Sequence, residues 1–335
     1  MTREISRRNF MTITPLAVAG LLLKGDSNLL NLWSDKPNSK FAGVQMGVIT
    51  YSFRSMPHDI DQLLQFCLDT NVSAMEMMGD PAEEYAGKPK LPFKMPAIPP
   101  KGGPRPQLTE EQKVQLVEHG KKVTAWRATA SMDKFEKIRK KFKKAGVSIY
   151  AFKPDTFGTK NTDAEIEYGM KAAKALGATS VTVELPNDVA QSKRLGDFGA
   201  KHKVYVGYHA HLQATDALWD EALKQSPYNS LNLDCGHYIA AGGKNTKESL
   251  LALIEAKHDR ITSMHIKDRT TKEHGTGNVE WGKGDTPIKE ILTLIKTKKY
   301  QFPVTVELEY EIPEGSNAVK EVAKCIEYAK KILVG

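Results

Sequence analysis

Five short apolar runs in the sequence end in side chains that can bind a metal ion or transfer protons. A hard or borderline divalent ion favours carboxylate oxygen together with imidazole nitrogen. If the runs are neighbouring parallel strands of a closed barrel, their carboxyl ends meet at one face. The run ends read Val181-Thr-Val-Glu184, Val206-Gly-Tyr-His209-Ala-His211, Leu233-Asp234-Cys-Gly-His237, Met264-His265-Ile-Lys267-Asp268 and Val304-Thr-Val-Glu307-Leu-Glu309. Each of the last four runs supplies one of the ligands predicted for a single divalent ion (Mn, Co, Zn or Mg): His209, Asp234, His265 and Glu307.

Such a site requires parallel strands that alternate with helices. From residue 44 the chain alternates β-branched runs with helical stretches, and most of the runs start 24 to 33 residues apart. That spacing is the length of one βα unit, and eight such units predict an α/β fold of the (β/α)8 TIM barrel type. The predicted strands are Gln45–Phe53, Ala74–Met78, Val147–Lys153, Ser180–Leu185, Val204–His209, Leu231–Asp234, Ile261–Ile266 and Val304–Leu308.

Two helices support this count. Apolar residues from Met132 to Ala145 recur every three or four positions, with Ser131 placed to cap the helix and Gly146 to end it. Lysines occupy the other face of this helix, which predicts a solvated outer surface rather than a binding patch. A second amphipathic helix is predicted over Ala164–Leu176.

One βα unit is oversized, because 68 residues separate the second and third predicted strands. Residues 81–106 contain eight prolines, which predicts neither helix nor strand there. We therefore expect a single barrel domain, residues 41–335, with a proline-rich insertion at about 81–110. A long ordered loop on a barrel can serve as an active-site lid, and a surface loop without a function is the alternative.

The distribution of charge argues against a nucleic-acid substrate. The chain of 335 residues has a formal net charge of +8, but residues 88–144 alone contain sixteen Lys/Arg against five Asp/Glu. The strand-end residues lie in the remainder of the chain, which is mildly acidic and does not favour a polyanion. The expected partner is a small molecule, and the sequence leaves the oligomeric state open, a homo-oligomer included.

The N-terminus has the features of an export signal. Arg7-Arg8 precede an apolar run from Ile13 to Leu23, which is too short for a stable membrane anchor. The arginine pair resembles a twin-arginine signal. That resemblance predicts a signal and linker over residues 1–40, a periplasmic location and the twin-arginine export machinery as a partner. An uncleaved amphipathic tail is the alternative.

Three cysteines, Cys67, Cys235 and Cys325, are isolated along the chain. They lack the spacing of metal ligands, which predicts buried free thiols. Free thiols are compatible with an oxidising compartment if the protein is exported already folded, as twin-arginine substrates are.

The motifs at the third and fourth of these run ends resemble those of a known superfamily. Leu-Asp234-Cys-Gly-His and His265-Ile-Lys-Asp are similar to motifs of the xylose-isomerase-like TIM barrels, which include sugar phosphate isomerases and epimerases. Gly207-Tyr-His-Ala-His resembles the branch that includes inosose dehydratase-like proteins. The resemblance covers residues 44–334, and none of these motifs identifies a substrate.

The resemblance also implies a ligand set, from which this chain departs at one position. In the family, Glu, Asp, His and Glu on strands five to eight hold the metal. The matching residues here are His209, Asp234, His265 and Glu307. His209 stands where the family usually has Glu, so one base of the family's two-glutamate epimerisation mechanism is missing. Glu184, one strand earlier, is the candidate to supply that carboxylate.

The function implied by the resemblance is the enolisation of a sugar. A metal that chelates a carbonyl and the neighbouring hydroxyl eases removal of the adjacent C–H proton. Reprotonation gives an isomerase or epimerase, whereas loss of a β-substituent gives a lyase or dehydratase acting on keto-sugars or 3-keto-glycosides. Glu184 or Glu307 would act as the base. His237 or Lys267 would hold the substrate oxygens, and His211 is the remaining catalytic candidate.

Two other functions are less favoured by the sequence. Apurinic-site endonucleases of the superfamily use additional histidines on earlier strands, whereas the second and third strands here end without histidine, at Met78 and Lys153. A non-catalytic sugar-binding protein is disfavoured because Asp234, His265 and Glu307 are intact. A phosphorylated substrate is not expected, since the sequence has no Gly-rich phosphate-binding loop.

Overall fold

The computed structural model describes residues 36–96 and 106–335. The fold belongs to the compact unit Pro37–Gly335. Arg7-Arg8 and the apolar run from Ile13 to Leu23, on which the expected twin-arginine signal depends, lie outside the described residues. In the described ranges, no helix is both long enough and apolar enough to cross a membrane.

Eight parallel strands close into a barrel. Apolar, β-branched segments form them, as expected for strands that are buried on both faces. The strands are β1 (Val44–Ile49), β2 (Ala74–Met78), β3 (Ser148–Lys153), β4 (Ser180–Glu184), β5 (Tyr205–His209), β6 (Asn229–Asp234), β7 (Ile261–Ile266) and β8 (Val304–Val306). Each strand pairs with the next one along the chain, and β8 pairs with β1, where Val304 lies opposite Met46. The predicted (β/α)8 TIM barrel is confirmed.

The first and last strands are shorter than predicted. Strand β1 ends at Ile49 and continues as the 3-10 helix Thr50–Phe53. Strand β8 ends at Val306, where the hydroxyl of Ser52 donates to the Val306 carbonyl (3.2 Å) and accepts from the Leu308 N–H (3.0 Å). A side chain thus replaces the sheet bonds that would have continued the strand.

Helices follow the strands and surround the barrel. In the described residues they are α1 (Ile60–Asp69), α2 (Gly79–Ala86), α3 (Glu110–Thr129), α4 (Asp133–Ala145), α5 (Asp163–Leu176), α6 (Val189–His202), α7 (Asp220–Gln225), α8 (Cys235–Ala241), α9 (Lys247–Lys257), α10 (Ile288–Lys298) and α11 (Ala318–Val334). Helix α5, one of the two predicted helices, begins at a capping box between Thr162 and Glu165 and ends at Gly177. Gly177 has φ 84°, a left-handed conformation that glycine adopts without strain.

Helix α4 confirms the other predicted helix and its basic outer face. Its buried side chains are Phe135, Ile138 and Phe142. The six lysines between Lys134 and Lys144 are all exposed. The positive charge of this segment is therefore a solvated helix face.

The interior of the barrel is filled with side chains. The hydroxyl of Tyr150 on β3 lies 2.6 Å from that of Thr305 on β8. Gly47 on β1 leaves room for this contact, because a Cβ there would lie 2.9 Å from the tyrosine ring. The core also contains the three cysteines, which are buried and free as predicted: Cys67, Cys235 and Cys325. The centre is therefore packed, and barrels of this type carry their active sites at the carboxyl end of the strands.

The proline-rich insertion is more ordered than the sequence predicts. The prediction of no helix was wrong over residues 81–86, which belong to α2. Pro81 lies in the first turn of α2, where the missing N–H would have had no helical partner in any case. Helix α3 begins at a capping box on Thr109 and extends for 20 residues. It escaped prediction because it is weakly amphipathic, burying only Val123 and Arg127.

A buried ion network fastens α2 and α3 to the barrel. Arg127 donates to Glu83 of α2 through Nε (2.9 Å) and Nη2 (3.1 Å). Its Nη1 donates to the carbonyl of Asp155, just after β3 (2.8 Å), and lies 3.4 Å from Glu165 of α5. The two helices that flank the insertion are thereby attached to the barrel, and the lid role of the insertion stays a prediction.

Short antiparallel strands extend the barrel at two points. Lys40–Phe41 pairs with the start of β1. After β7, Asp268–Arg269 pairs with Asn278–Val279 in a hairpin at the mouth. The carboxylate of Asp268 accepts hydrogen bonds from the backbone N–H groups of Gly282 (2.7 Å) and Gly284 (3.0 Å), which secures this loop beside the strand ends.

Candidate metal and active site

Three of the predicted ligands lie together at the carboxyl end of the barrel. His209, Asp234 and His265 lie at or next to the ends of the neighbouring strands β5, β6 and β7. One donor atom of each lies within 4.8 Å of the other two. All three side chains are buried. The sheet register accounts for this arrangement, since Asp234 pairs with His265 and side chains at matching positions of parallel neighbours point the same way.

The tautomer of His209 follows from its neighbours. Asn232 on β6 donates through Nδ2 to the hydroxyl of Ser263 (2.7 Å) and toward Glu76 (3.4 Å). Its Oδ1 therefore faces Nδ1 of His209 at 2.9 Å and can only accept. The proton lies on Nδ1, and Nε2 keeps its lone pair. Burial, followed by the charge of Lys153, lowers the pKa of His209 well below its usual value, so the ring is neutral.

His265 is held between two carboxylates. Its Nε2 lies 2.9 Å from Glu76 on β2, and its Nδ1 lies 3.2 Å from Glu307, just after β8. Burial would lower the pKa of His265, but the two carboxylates outweigh it and raise the pKa to about 10. The side chain is therefore an imidazolium in the metal-free protein. The predicted ligand Glu307 contacts this cation and is not part of the three-residue cluster found among the described residues.

Asp234 has one bonded and one unbonded carboxylate oxygen. Oδ1 accepts the N–H of His237 at 2.7 Å and caps α8. Oδ2 is buried without a hydrogen bond, although Nζ of Lys267 is 3.0 Å away, because the approach angle is unfavourable. Burial raises the pKa of Asp234, against the opposing effect of Lys267. Oδ2 is thus available to a cation.

The ammonium of Lys267 is surrounded by four polar atoms. They are Glu307 Oε2 (2.6 Å), Glu309 Oε2 (2.7 Å), Asp234 Oδ2 (3.0 Å) and His237 Nε2 (3.0 Å). Lys267 is buried, and burial would lower its pKa, but the carboxylates outweigh burial and raise the pKa. Gly236, the glycine of the Asp-Cys-Gly-His motif, leaves room for the side chain of Lys267, because a Cβ at Gly236 would collide with Cγ of Lys267.

His237 belongs to a second group of nitrogen donors. His209, His211 and His237 each offer one nitrogen within 4.8 Å of the others. Burial and then the charge of Lys267 lower the pKa of His237 to about 2, so the ring is neutral. Its Nδ1 lies 2.5 Å from the guanidinium of Arg269. This second group shares His209 with the cluster of Asp234 and His265, and its exposed member, His211, lies nearer the opening of the barrel.

Glu184 and His211 are the exposed members of the predicted set. Each side chain is 54% exposed, and Nε2 of His211 lies 3.5 Å from Oε2 of Glu184. Lys153, at the end of β3, donates to Oε1 of Glu184 at 2.8 Å. The ring of His211 lies 5.0 Å from the ring of the buried His209. Both groups are therefore positioned where a bound small molecule can reach them.

Two cavities open near the strand ends. One of about 710 Å³ is lined by residues that include Arg54, Glu309 and Tyr310. Another of about 640 Å³ is lined by residues that include Lys153 and Glu184. Each contains a carboxylate near the buried cluster, and each has the volume of an ordinary small-molecule site.

The donor set fits a divalent metal ion. Two imidazoles and a carboxylate are the ligands that Zn, Mn and Co accept in proteins. His209 presents a lone pair on Nε2, and Asp234 presents an unbonded oxygen. His265 can join the set once it loses its proton, as metal binding to histidine requires. Asn232 and Glu76 supply the outer contacts that orient the two imidazoles.

Two residues of this site, Glu76 and Asn232, are absent from the strand-end pattern, and Glu309 is in that pattern without an assigned role. Glu76 is a lone carboxylate in the apolar strand Ala-Met-Glu-Met-Met, and a buried acid signals a cationic partner. Asn232 lies two residues before Asp234 and so shares its face of the strand. Glu309 stands in the same relation to Glu307. Each could have been found by asking which polar residues share an inward face with a chosen ligand.

The sequence matches the model of a known protein family. Residues 113–331 match the family model described as xylose isomerase-like TIM barrel. The chain belongs to this family. The match runs from within α3 to within α11, so it contains the four predicted ligands and the four catalytic candidates but not Glu76. No curated protein sequence matches the chain.

Solved structures share the fold at low sequence identity. D-psicose 3-epimerase with D-tagatose, from Clostridium cellulolyticum H10, has TM-score 0.58 and 10% identity over 87% of this chain and 100% of that one. The probable 3-DHS dehydratase AsbF of Bacillus anthracis has TM-score 0.57 and 15% identity over 85% and 98%. The IOLI protein with a zinc atom has TM-score 0.55 and 17% identity over 87% and 100%. At these identities the likeness is one of fold.

Proposed function

We propose that this protein is a divalent-metal-dependent sugar isomerase or epimerase that removes a proton next to a carbonyl. The observation that carries the proposal is the cluster of His209, Asp234 and His265, whose donor atoms lie within 4.8 Å at the catalytic end of a family barrel. A structural relative binds zinc, and another is an epimerase of a keto-sugar, which is the same class of chemistry. A bound ion would supply Lewis acidity to the substrate carbonyl.

Glu184 is the proposed base. It is a half-exposed carboxylate at the mouth, and Lys153 holds one of its oxygens at 2.8 Å. The free side of the carboxylate can accept a substrate proton. Glu307, the other candidate, is bonded to His265 and to Lys267, so it is less free to take a proton.

A lyase or dehydratase is the second candidate, and His211 favours it. Elimination needs a base to remove the proton and an acid to protonate the leaving group. Glu184 and His211 are both half exposed and 3.5 Å apart, so the two roles can be filled side by side. The fold relative AsbF is itself described as a dehydratase.

One experiment tests both candidates. The metal-loaded protein is incubated with keto-sugars and 3-keto-glycosides in deuterated water, and products are followed by NMR and mass spectrometry. An isomerase or epimerase places deuterium on carbon in a product of unchanged composition. A lyase or dehydratase gives a product that has lost water or an alcohol. If no substrate carbon exchanges with any added metal, the enolisation proposal fails.

A further inference from the structure

The position of Lys267 has a consequence for metal binding. Its ammonium is 3.0 Å from Asp234 Oδ2 and 2.6 Å from Glu307 Oε2. Asp234 is a ligand in the observed cluster, and Glu307 is the fourth ligand that the family pattern implies. A cation and a divalent ion cannot both occupy the contact sphere of the same carboxylate oxygens without strong repulsion.

The ammonium is held unevenly. The neutral ring of His237 has one acceptor nitrogen, yet it faces the guanidinium of Arg269 at 2.5 Å and the ammonium of Lys267 at 3.0 Å. With the shorter contact to Arg269 satisfied, the second nitrogen carries a hydrogen that points at Lys267. The contact to Asp234 Oδ2 is also outside hydrogen-bonding angles. Of the four contacts, only the one to Glu309 is a hydrogen bond from the ammonium to a carboxylate.

Glu309 offers the ammonium another partner. It accepts from Nζ at 2.7 Å and lies just beyond the ligand candidates along the chain. Its side chain is 20% exposed, whereas that of Asp234 is fully buried. Glu309 can therefore keep Lys267 neutralised at the edge of the site while the inner carboxylates bind another cation.

We infer that the Lys267 ammonium is a built-in counter-ion that competes with the divalent metal for Asp234 and Glu307 and yields to it by leaving these two carboxylates while keeping its bond to Glu309. The inference rests on the proposed metal dependence of the site. In the metal-free protein the lysine compensates carboxylates that would otherwise be buried and unpaired, which is strongly destabilising. In the metal-bound protein the ammonium of Lys267 lies beside Glu309 at the mouth of the barrel, next to the place where substrate oxygens would bind.

The test compares metal affinity and stability in three proteins prepared without metal. Zn²⁺ is titrated by calorimetry into wild type, Lys267→Met and Lys153→Met. The control, Lys153, is a lysine of the same mouth that bonds Glu184 and none of the four predicted ligands on strands β5 to β8. Lys267→Met is expected to bind Zn²⁺ at least ~10-fold more tightly than wild type, the low end for removing a close charge partner. A smaller gain is expected for Lys153→Met.

The unfolding temperature, measured with and without Zn²⁺, distinguishes a counter-ion from a lysine that only stabilises the fold. Without metal, Lys267→Met is expected to unfold at a lower temperature than wild type. With saturating Zn²⁺ that deficit is expected to close, because the ion replaces the lost counter-charge. A deficit of equal size with and without Zn²⁺, or an equal affinity gain in Lys153→Met, overturns the inference.

A second variant covers the case in which Lys267→Met does not fold. Lys267→Arg keeps the charge, and its guanidinium binds carboxylates with two parallel bonds, which makes it the stronger competitor. Weaker Zn²⁺ binding than wild type supports competition, and equal or tighter binding overturns it. If wild type and every variant bind no Zn²⁺, the proposed metal dependence fails as well. If all bind it equally, only the competition fails.

Discussion

Nδ1 of His209 lies 2.9 Å from Oδ1 of Asn232, and this one contact sets which nitrogen of the histidine faces Asp234. Replacing Asn232 with Leu keeps the size of the side chain and removes the acceptor. Metal affinity is expected to fall by about 10- to 100-fold, the usual effect of losing such an outer contact. Calorimetric titration with Zn²⁺ measures the change.

Asn229 on the same strand provides the matched control for that experiment. It is buried and bonded to Tyr208 and to backbone carbonyls, but it does not touch a ligand candidate. Asn229→Leu should lower stability and leave the metal affinity of the folded protein nearly unchanged. Equal metal loss in both variants would show that affinity follows stability rather than the orientation of His209.

Asp234 is expected to be indispensable for metal binding. The variant Asp234→Asn retains an oxygen that can cap α8 and removes the negative charge. We expect wild type to contain about one divalent ion per chain and the variant to lose it, because a carboxylate ligand is replaced by a neutral amide. Elemental analysis and circular dichroism give metal content and fold. Full metal content in both Asp234→Asn and His265→Gln would place the site elsewhere.

Substitution of Glu184 distinguishes two roles for this exposed carboxylate, that of the catalytic base and that of a metal ligand. If it is the base, Glu184→Gln should keep metal and substrate affinity and lose C–H exchange by at least ~100-fold. If it is a ligand in addition to His209, or in its place, the same change should weaken metal binding first, and excess metal should restore part of the activity. Solvent deuterium exchange and metal titration distinguish these outcomes. A variant that exchanges protons at the normal rate would leave Glu184 as a hydrogen-bond acceptor for Lys153.

Arg127 is expected to be the main attachment of the insertion. Arg127→Met removes both guanidinium bonds to the buried Glu83 and leaves it only the ion pair with Lys88 (3.1 Å), which should reduce the free energy of unfolding by about 1.5–3 kcal/mol. Urea denaturation measures this loss. Lys113→Met, which breaks an exposed pair with Glu110 on the same helix, should change stability little. A small effect of Arg127→Met would mean that α2 and α3 are held by packing instead.

The export signal is a proposal that rests on Arg7-Arg8 and on the apolar run from Ile13 to Leu23 that follows them. Replacing both with lysine preserves the charge and removes the guanidinium pair that the pathway recognises as an address. The double variant is expected to stay in the cytoplasm, while a variant with Arg3→Lys, outside the pair, is exported normally. Cell fractionation and immunoblotting measure the distribution. Unchanged periplasmic recovery of the double variant would exclude a twin-arginine signal.

The sequence by itself determined the barrel and the convergence of His209, Asp234 and His265. Apolar runs at βα-unit spacing require parallel strands, and polar residues at the carboxyl ends of such strands meet at one face of the barrel, independently of the loop conformations. The insertion was predicted less well. Helix α3 has almost no apolar stripe, since its main buried residue is the charged Arg127, so periodicity could not reveal it.

Only the tertiary structure decided the charge state of the site. Glu76 and His265 are 189 residues apart, and Lys267 and Glu309 are 42 apart, so neither contact has a local sequence signal. Closing the barrel brings these groups into a buried space where each charge must find a partner or be strongly penalised. That requirement turns His265 into an imidazolium and places the ammonium of Lys267 against Asp234 and Glu307. The candidate ligands are therefore predictable from the strand pattern, whereas their protonation and pairing arise from the closed barrel.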